Sequence, residues 1–271
     1  MIRFFSSVAV LAMMAGSTAA FAADFPLKAP PAAPLLLWNG FYFGGNVGYS
    51  IGRVKYTSSN VFIAGGNAGT TDSRSAERSI DGVIGGGQIG YNWQATPNWV
   101  WGFETDFQGS GQKNSSSNIG QDLNGVPPVL QTTTQATEHK LEWFGTARLR
   151  AGYVVGNTLW YGTGGYAYGK VEVAESTNRV PGVAGSASFA GAGSVSSTRS
   201  GWTAGGGVET KFGPNWSAKL EYLFIDLGKE TNAFNVLFTS GALNGTVLSN
   251  FTSTSRFQDH IVRVGLNYSF H

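Results

Sequence analysis

The feature that most constrains this chain is the way its alternating segments are connected. After residue 39, apolar and polar residues alternate in eight stretches, roughly 40–51, 82–95, 98–109, 138–154, 158–173, 200–212, 216–228 and 257–270. A period of two is typical of β-strands whose two faces meet different surroundings. The second, fourth and sixth stretches end in tight turns, whereas the other connections are long and rich in Ser, Thr, Asn and Gly. We therefore predict an all-β fold, an eight-stranded antiparallel up-and-down transmembrane β-barrel with short periplasmic turns and four long extracellular loops.

The N-terminus has the pattern of an export signal. Arg3 precedes an apolar stretch at 4–15, and small residues then lead to an A-x-A cleavage pattern at 20–22. The apolar stretch is too short to span a bilayer as a helix. Four of the nine prolines follow within 24–37, which favours an extended chain. We expect a signal peptide at 1–22, a Pro-rich periplasmic linker at 23–38 and the barrel at 39–271.

Composition argues against several classes of function. Lys and Arg number 18 against 16 Asp and Glu, so no polybasic nucleic-acid surface is expected. There is no Cys and there are only three His, so neither a cofactor nor a metal site is predicted. A G-x-G-x-x-G pattern at 85–90 lies inside a strand with no helix after it, unlike a dinucleotide site. His139 and His260 are both predicted to face lipid on distant strands, so we expect no catalytic triad and no enzyme activity.

The alternation also predicts which side chains face the interior. In the third stretch, for example, Trp101 and Phe103 alternate with Glu104 and Asp106. In a membrane barrel the apolar face meets lipid, and an eight-stranded lumen is only wide enough for side chains. Buried charges need partners, so we expect acids and bases to fill the lumen in pairs. The predicted lumen charge network consists of Glu104, Asp106, Lys140, Glu142, Arg148, Arg150, Glu209, Lys211, Lys219, Glu221 and Arg263.

Several motifs resemble one known family over residues 38–270. They are WNGFY at 38–42, GGGQIGYNW at 85–93, WTAGGGVE at 202–209, KLEY at 219–222 and IVRVGLNYSF at 261–270. The chain resembles the opacity-type, OmpA-like outer-membrane β-barrels, above all the major porin-like surface proteins of Alphaproteobacteria such as brucellae and rhizobia. The resemblance implies an outer-membrane location in a Gram-negative bacterium, with roles in envelope integrity, surface antigenicity and host contact.

The same resemblance implies the partners of the chain. Outer-membrane lipid and lipopolysaccharide would surround the barrel, and barrel-assembly machinery would read the closing strand, where Tyr268 and Phe270 are the expected assembly signal. The long loops would contact a host or surface ligand.

One of the predicted loops, 230–256, is unusually apolar. Either the seventh and eighth strands extend there as a hairpin with one packed face, or an apolar patch docks a host surface, a neighbouring barrel or a lipid-like ligand. The possible contact residues are Phe234, Leu237, Phe238 and Phe251. The loops at 110–137 and 175–198 are polar and are expected to be mobile.

A structural and surface-interaction role fits these observations best. The alternatives are a small porin for passive diffusion and a secreted soluble β-sandwich or lectin.

Overall fold

A computed structural model describes residues 37–124, 129–182 and 187–270 of the chain. They form eight antiparallel strands, each hydrogen-bonded to its neighbours in sequence, and the last strand pairs with the first to close a barrel. The predicted fold is confirmed. Within the described residues, no helix is long and apolar enough to cross a membrane. The predicted signal peptide and all but the last two residues of the predicted linker lie outside the described residues.

The strands are β1 (Gly40–Phe62), β2 (Thr71–Gln94), β3 (Trp99–Asn124), β4 (Val129–Val155), β5 (Thr158–Pro181), β6 (Phe189–Lys211), β7 (Trp216–Phe238) and β8 (Val247–Ser269).

All eight strands are much longer than the alternation predicts. β3 and β4 run together from Asn124 opposite Val129, so the predicted mobile loop at 110–137 is mostly a β-hairpin. Most of the predicted loop at 175–198 belongs likewise to β5 and β6. The loop predictions were wrong because these regions carry Ser and Thr on both faces. Such residues lack an apolar period, yet their backbones pair and Thr is a good strand former.

Three tight turns close the periplasmic end, as predicted. The backbone nitrogen of Ala95 donates to the carbonyl of Trp99 at 3.0 Å, and that of Phe212 donates to the carbonyl of Trp216 at 3.2 Å. Between β4 and β5 the turn contains Gly156 with a φ of +63°. A two-residue hairpin turn needs such left-handed backbone, which glycine adopts without steric cost.

Two belts of aromatic rings surround the barrel. The periplasmic belt includes Trp99 against Tyr153, with ring centroids 5.4 Å apart, while the upper belt includes Phe107 against Trp143, also at 5.4 Å. Exposed aliphatic and aromatic side chains cover the surface between the belts. Along β4 the interval 143–153 separates them, which matches the span of about 9–11 residues that a tilted strand needs to cross a bilayer.

Above the upper belt the barrel wall has two seams. The ladder between β2 and β3 extends only from Gln94 opposite Val100 to Ile84 opposite Ser110. Among the described residues, 191–201 of β6 have no ladder partner on β7, and pairing resumes only at 189–190. The closed barrel therefore continues upward as two four-stranded sheets that face each other, β3-β4-β5-β6 and β7-β8-β1-β2. The sequence pattern did not predict this division.

Candidate functional site

The membrane-level lumen is filled by a network of ion pairs centred on Arg148. Its guanidinium lies 3.0 Å from the carboxylate of Asp106 and 3.0 Å from that of Glu221, and it also contacts Glu104. Arg263 joins the same carboxylates, at 2.7 Å from Asp106 and 2.6 Å from Glu221. All five side chains are buried. Because each guanidinium bridges several strands, the network holds opposite walls of the barrel together.

A second group extends this network toward the periplasm. Arg150 lies 2.7 Å from the carboxylate of Glu209, and the Lys219 ammonium lies 3.0 Å from both carboxylate oxygens of Glu104. Ser217 donates a hydrogen bond to the other Glu209 oxygen at 2.6 Å. Together the two groups contain equal numbers of acids and bases. These charges can be buried because each one has a partner of opposite sign at hydrogen-bond distance.

Two tyrosines belong to the network and were missed by the sequence analysis. Tyr42 donates to Glu104 at 2.7 Å, and Tyr161 donates to Glu221 at 3.0 Å. The Arg150 guanidinium also lies over the Tyr161 ring, 4.0 Å from its centroid. The signal for Tyr42 was available, because it shares the small and polar face of β1 that includes Asn46.

Lys211 is buried as predicted, but it lies below the other charges. Its ammonium donates to the carbonyl of Leu37 at 2.5 Å and lies over the Trp38 ring, 5.2 Å from the centroid. Trp38 is itself buried against Val100 and Leu159. The start of the described chain therefore packs into the periplasmic end of the lumen.

An apolar layer covers the network on its extracellular side. Ile80, Ile84, Leu141, Phe144 and Phe257 are among its fully buried members. Along its axis, the membrane-level lumen thus contains a cluster of paired charges followed by a cluster of hydrocarbon, and neither arrangement resembles a water-filled channel.

Lys140 and Glu142 do not belong to the network, so this part of the prediction was wrong. Both lie on the outer surface, where Glu142 pairs with Lys140 at 2.9 Å and with Lys170 at 2.7 Å. The cause is a bulge in β4 between Leu141 and Trp143. An extra residue reverses the inward and outward faces of a strand, so odd-numbered residues point inward before the bulge and even-numbered ones after it.

The same bulge corrects the prediction for His139. Its side chain points into the barrel and is fully buried, with Nε2 3.0 Å from Ser255 Oγ, and it does not face lipid. Burial lowers the pKa of His139 to about 4. His260 does lie on the outer surface, where Nδ1 is 2.7 Å from the Tyr222 hydroxyl. The two histidines therefore face opposite sides of the barrel wall.

The apolar segment 230–256 is the hairpin extension of β7 and β8 with one packed face. Phe238 is buried with Val236 and Leu248, and Phe234 and Phe251 pack against that cluster. Their rings are 4.8 Å apart. Among the four possible contact residues only Leu237 is exposed, at 39% of its surface. A docking patch built from all four is wrong, because strand periodicity turns the aromatic residues inward.

The predicted assembly-signal residues lie on the outer surface near the periplasmic end. The Tyr268 ring lies 5.1 Å from that of Trp216, and the Phe270 ring 5.6 Å from that of Phe43. Both residues belong to the periplasmic aromatic belt. Their role in assembly stays a prediction.

Comparison with known proteins agrees with this architecture. Residues 8–270 match the family described as outer membrane protein beta-barrel domain. The chain is 38% identical over 260 residues to the 31 kDa outer-membrane immunogenic protein of Brucella melitensis, covering 94% of this chain and 95% of that protein. It is 30% identical over 198 residues to the 22 kDa outer membrane protein of Rhizobium leguminosarum, covering 72% and 67%.

Among solved structures, the attachment invasion locus protein Ail of Yersinia pestis is similar with a TM-score of 0.36 at 12% identity, covering 86% of this chain and 99% of that one. With 38% identity to the Brucella protein along almost its whole length, and with a closed eight-stranded barrel between two aromatic belts, the chain belongs to the outer-membrane β-barrel family.

Proposed function

We propose that this protein is a structural and surface-interaction component of the outer membrane, with no enzyme activity and no solute path through its lumen. The observation that supports the proposal best is the network of Arg148, Arg263, Glu104, Asp106 and Glu221, in which every charge has a partner of opposite sign. A selective pore would need an open passage lined by charges of one dominant sign. The network offers neither.

The extracellular extension is the part of the protein that we propose for contact with other molecules. It raises two sheets above the membrane surface, where loops and strand ends of such barrels meet the environment. The name of the Brucella relative describes an immunogenic protein. We extend surface exposure to this chain on that basis. Lipopolysaccharide, assembly machinery and a host ligand remain expected partners.

Deleting the gene separates the structural role from the alternative of a small porin. We expect the deletion strain to become sensitive to detergents and large antibiotics, because the envelope is weakened, and to take up small solutes at an unchanged rate. Complementation with the intact gene should restore resistance. A strain with an intact permeability barrier but slow uptake of small sugars or amino acids would contradict the proposal and favour the porin.

A further inference from the structure

The space between the two sheets of the extracellular extension is a cavity with an apolar wall. Its volume is about 320 Å³, and small-molecule sites typically have about 300–1,000 Å³. Phe62, Phe234, Leu248 and Phe251 form the wall on β1, β7 and β8, and Phe189 of β6 continues it. Four aromatic rings and a leucine offer a surface for a hydrocarbon or aromatic group.

The rest of the lining includes an acid, Glu175, and a base, Arg78, that do not pair with each other. Glu175 of β5 is buried, and its Oε2 accepts hydrogen bonds from Asn232, at 3.0 Å, and from Ser253. Arg78 of β2 donates to Ser116 Oγ at 3.0 Å across the seam between β2 and β3. Within the described part of the chain, neither Glu175 nor Arg78 has an ion-pair partner within 4.0 Å.

Three buried oxygen atoms on the cavity lining have no hydrogen-bond partner among the described residues. They are Glu175 Oε1, Asn60 Oδ1 and Ser249 Oγ. An unsatisfied buried polar atom is costly, and a carboxylate oxygen more so than a neutral one. Because two of the three atoms can only accept hydrogen bonds, the cavity favours an occupant that donates them.

Both charges line the same cavity. Burial raises the pKa of Tyr56, which lines the same cavity, and the charge of Glu175 adds to that effect while the charge of Arg78 opposes it. Both charged groups therefore influence the Tyr56 hydroxyl. The remaining charges of the lining, Asp72 and Arg74, pair with each other at 3.1 Å.

We propose that the cavity binds a small zwitterion with an apolar side chain, that is, an apolar α-amino acid. Its ammonium group donates to Glu175, its carboxylate pairs with Arg78, and its side chain packs against the phenylalanine wall. An amine without a carboxylate leaves Arg78 unpaired, and an acid without an amine leaves Glu175 unpaired. Glu175 is buried without an ion-pair partner, and Arg78 is half-buried on the same cavity, so the zwitterion is the occupant that satisfies both.

Access to the cavity is available from the extracellular side. Ser75 and Ala76, on the edge of β2 at the seam, belong to the lining. A wider space of about 880 Å³ adjoins the cavity and shares Arg74 and Phe189 with it. The site is therefore open to the medium above the membrane and needs no passage through the charged lumen.

Binding can be tested with three probes that share one phenyl group. The protein without its signal peptide is placed in lipid nanodiscs, and L-phenylalanine, phenethylamine and 3-phenylpropionate are titrated by calorimetry. We expect saturable binding of L-phenylalanine and at least about tenfold weaker binding of each analogue, because each lacks one charge-assisted pair. Saturable binding of 3-phenylpropionate as tight as that of L-phenylalanine would overturn the proposal, and so would no binding of any probe, as expected of a cavity that contains only water.

Two variants test which charged residue binds which charged group of the ligand. Glu175→Gln should weaken the binding of L-phenylalanine about tenfold, so that it binds no more tightly than 3-phenylpropionate. Arg78→Gln should make L-phenylalanine bind no more tightly than phenethylamine. Lys113→Gln, in an exposed pair with Glu138 on the outer face, is the matched control and should bind as the unmodified protein does. The heat-dependent gel shift checks the fold of each variant. Folded Glu175→Gln and Arg78→Gln proteins with unchanged affinities would contradict the assignment. Because neither result depends on conductance, failure of this proposal is distinct from failure of the proposed function.

Discussion

The membrane-level barrel and the extracellular extension are built from the same eight strands, yet they differ in whether a buried charge has an ion-pair partner. At membrane level every ladder is continuous, and Arg148 and Arg263 share the carboxylates of Asp106 and Glu221. In the extension two ladders are interrupted, and the buried Glu175 has no ion-pair partner within 4.0 Å among the described residues. The contrast indicates that the lower region is built for stability and that the upper region leaves capacity for contact.

Removing Arg148, the central cation of the lumen network, should give the largest loss of stability. Arg148→Gln leaves Glu104, Asp106 and Glu221 with too little positive charge, and breaking a buried pair costs about 3–5 kcal/mol. We expect a much lower urea midpoint for the protein in lipid vesicles, followed by tryptophan fluorescence and the heat-dependent gel shift. Arg53→Gln, which removes one member of an exposed pair with Glu77 in the extension, is the control and should leave the midpoint unchanged. Equal midpoints for the two variants would show that the lumen network is not a stabilising element.

The second prediction concerns the extension, where protonation of the buried His139 should lower the stability of the protein. Burial keeps the pKa of this side chain near 4, below the usual value of about 6.5. The unfolded chain therefore takes up a proton before the folded chain does. Stability should be full above about pH 6.5 and should fall progressively as the pH decreases toward 4, by up to about 3 kcal/mol. Urea midpoints at pH 7.5 and 4.5 test this, and the His139→Gln variant should lose that part of the pH dependence. An equal decline in the variant would assign the effect to other groups.

Two adjacent glycines, Gly85 and Gly86, allow a comparison of how much space the lipid-facing side and the interior leave for a side chain. A Cβ added at Gly86 would lie 2.0 Å from the carbonyl oxygen of Phe107, whereas one added at Gly85 would have no neighbour closer than the Asn46 carbonyl at 3.7 Å. Gly86→Ala should therefore destabilise by about 1–3 kcal/mol, since the contact is with backbone. Gly85→Ala should be neutral or slightly stabilising. Similar urea midpoints for the two variants would mean that the wall can yield at this level.

The smallest effect is expected on the outer surface. Glu142→Gln removes two solvent-accessible ion pairs on the outer surface, so the urea midpoint should not change measurably. This result checks the bulge in β4, because a lumen position for Glu142 would make the same substitution as damaging as one in the network.

The sequence alone predicted the membrane-level barrel well, and the reason is physical. Lipid outside and paired charges inside impose a strict period of two, as in β3, where Phe103 and Glu104 are adjacent. The predicted faces were wrong where the strand is not regular. The bulge at residue 142 reversed the faces of Lys140 and Glu142, and no residue type marks a bulge without a glycine. The prediction for the extension was wrong for another reason. Its strands carry Ser and Thr on both faces, and such a sequence is typical of a loop. The seams were not predictable, because alternation records the faces of a strand and not the extent of its pairing.

Single-channel conductance of the refolded protein in a planar bilayer tests the central claim most directly. If the ion-paired network and the apolar layer above it fill the lumen, the folded protein should give no discrete conductance steps, and its folding is verified by the heat-dependent gel shift. Reproducible steps from folded protein would show an open lumen and contradict this account.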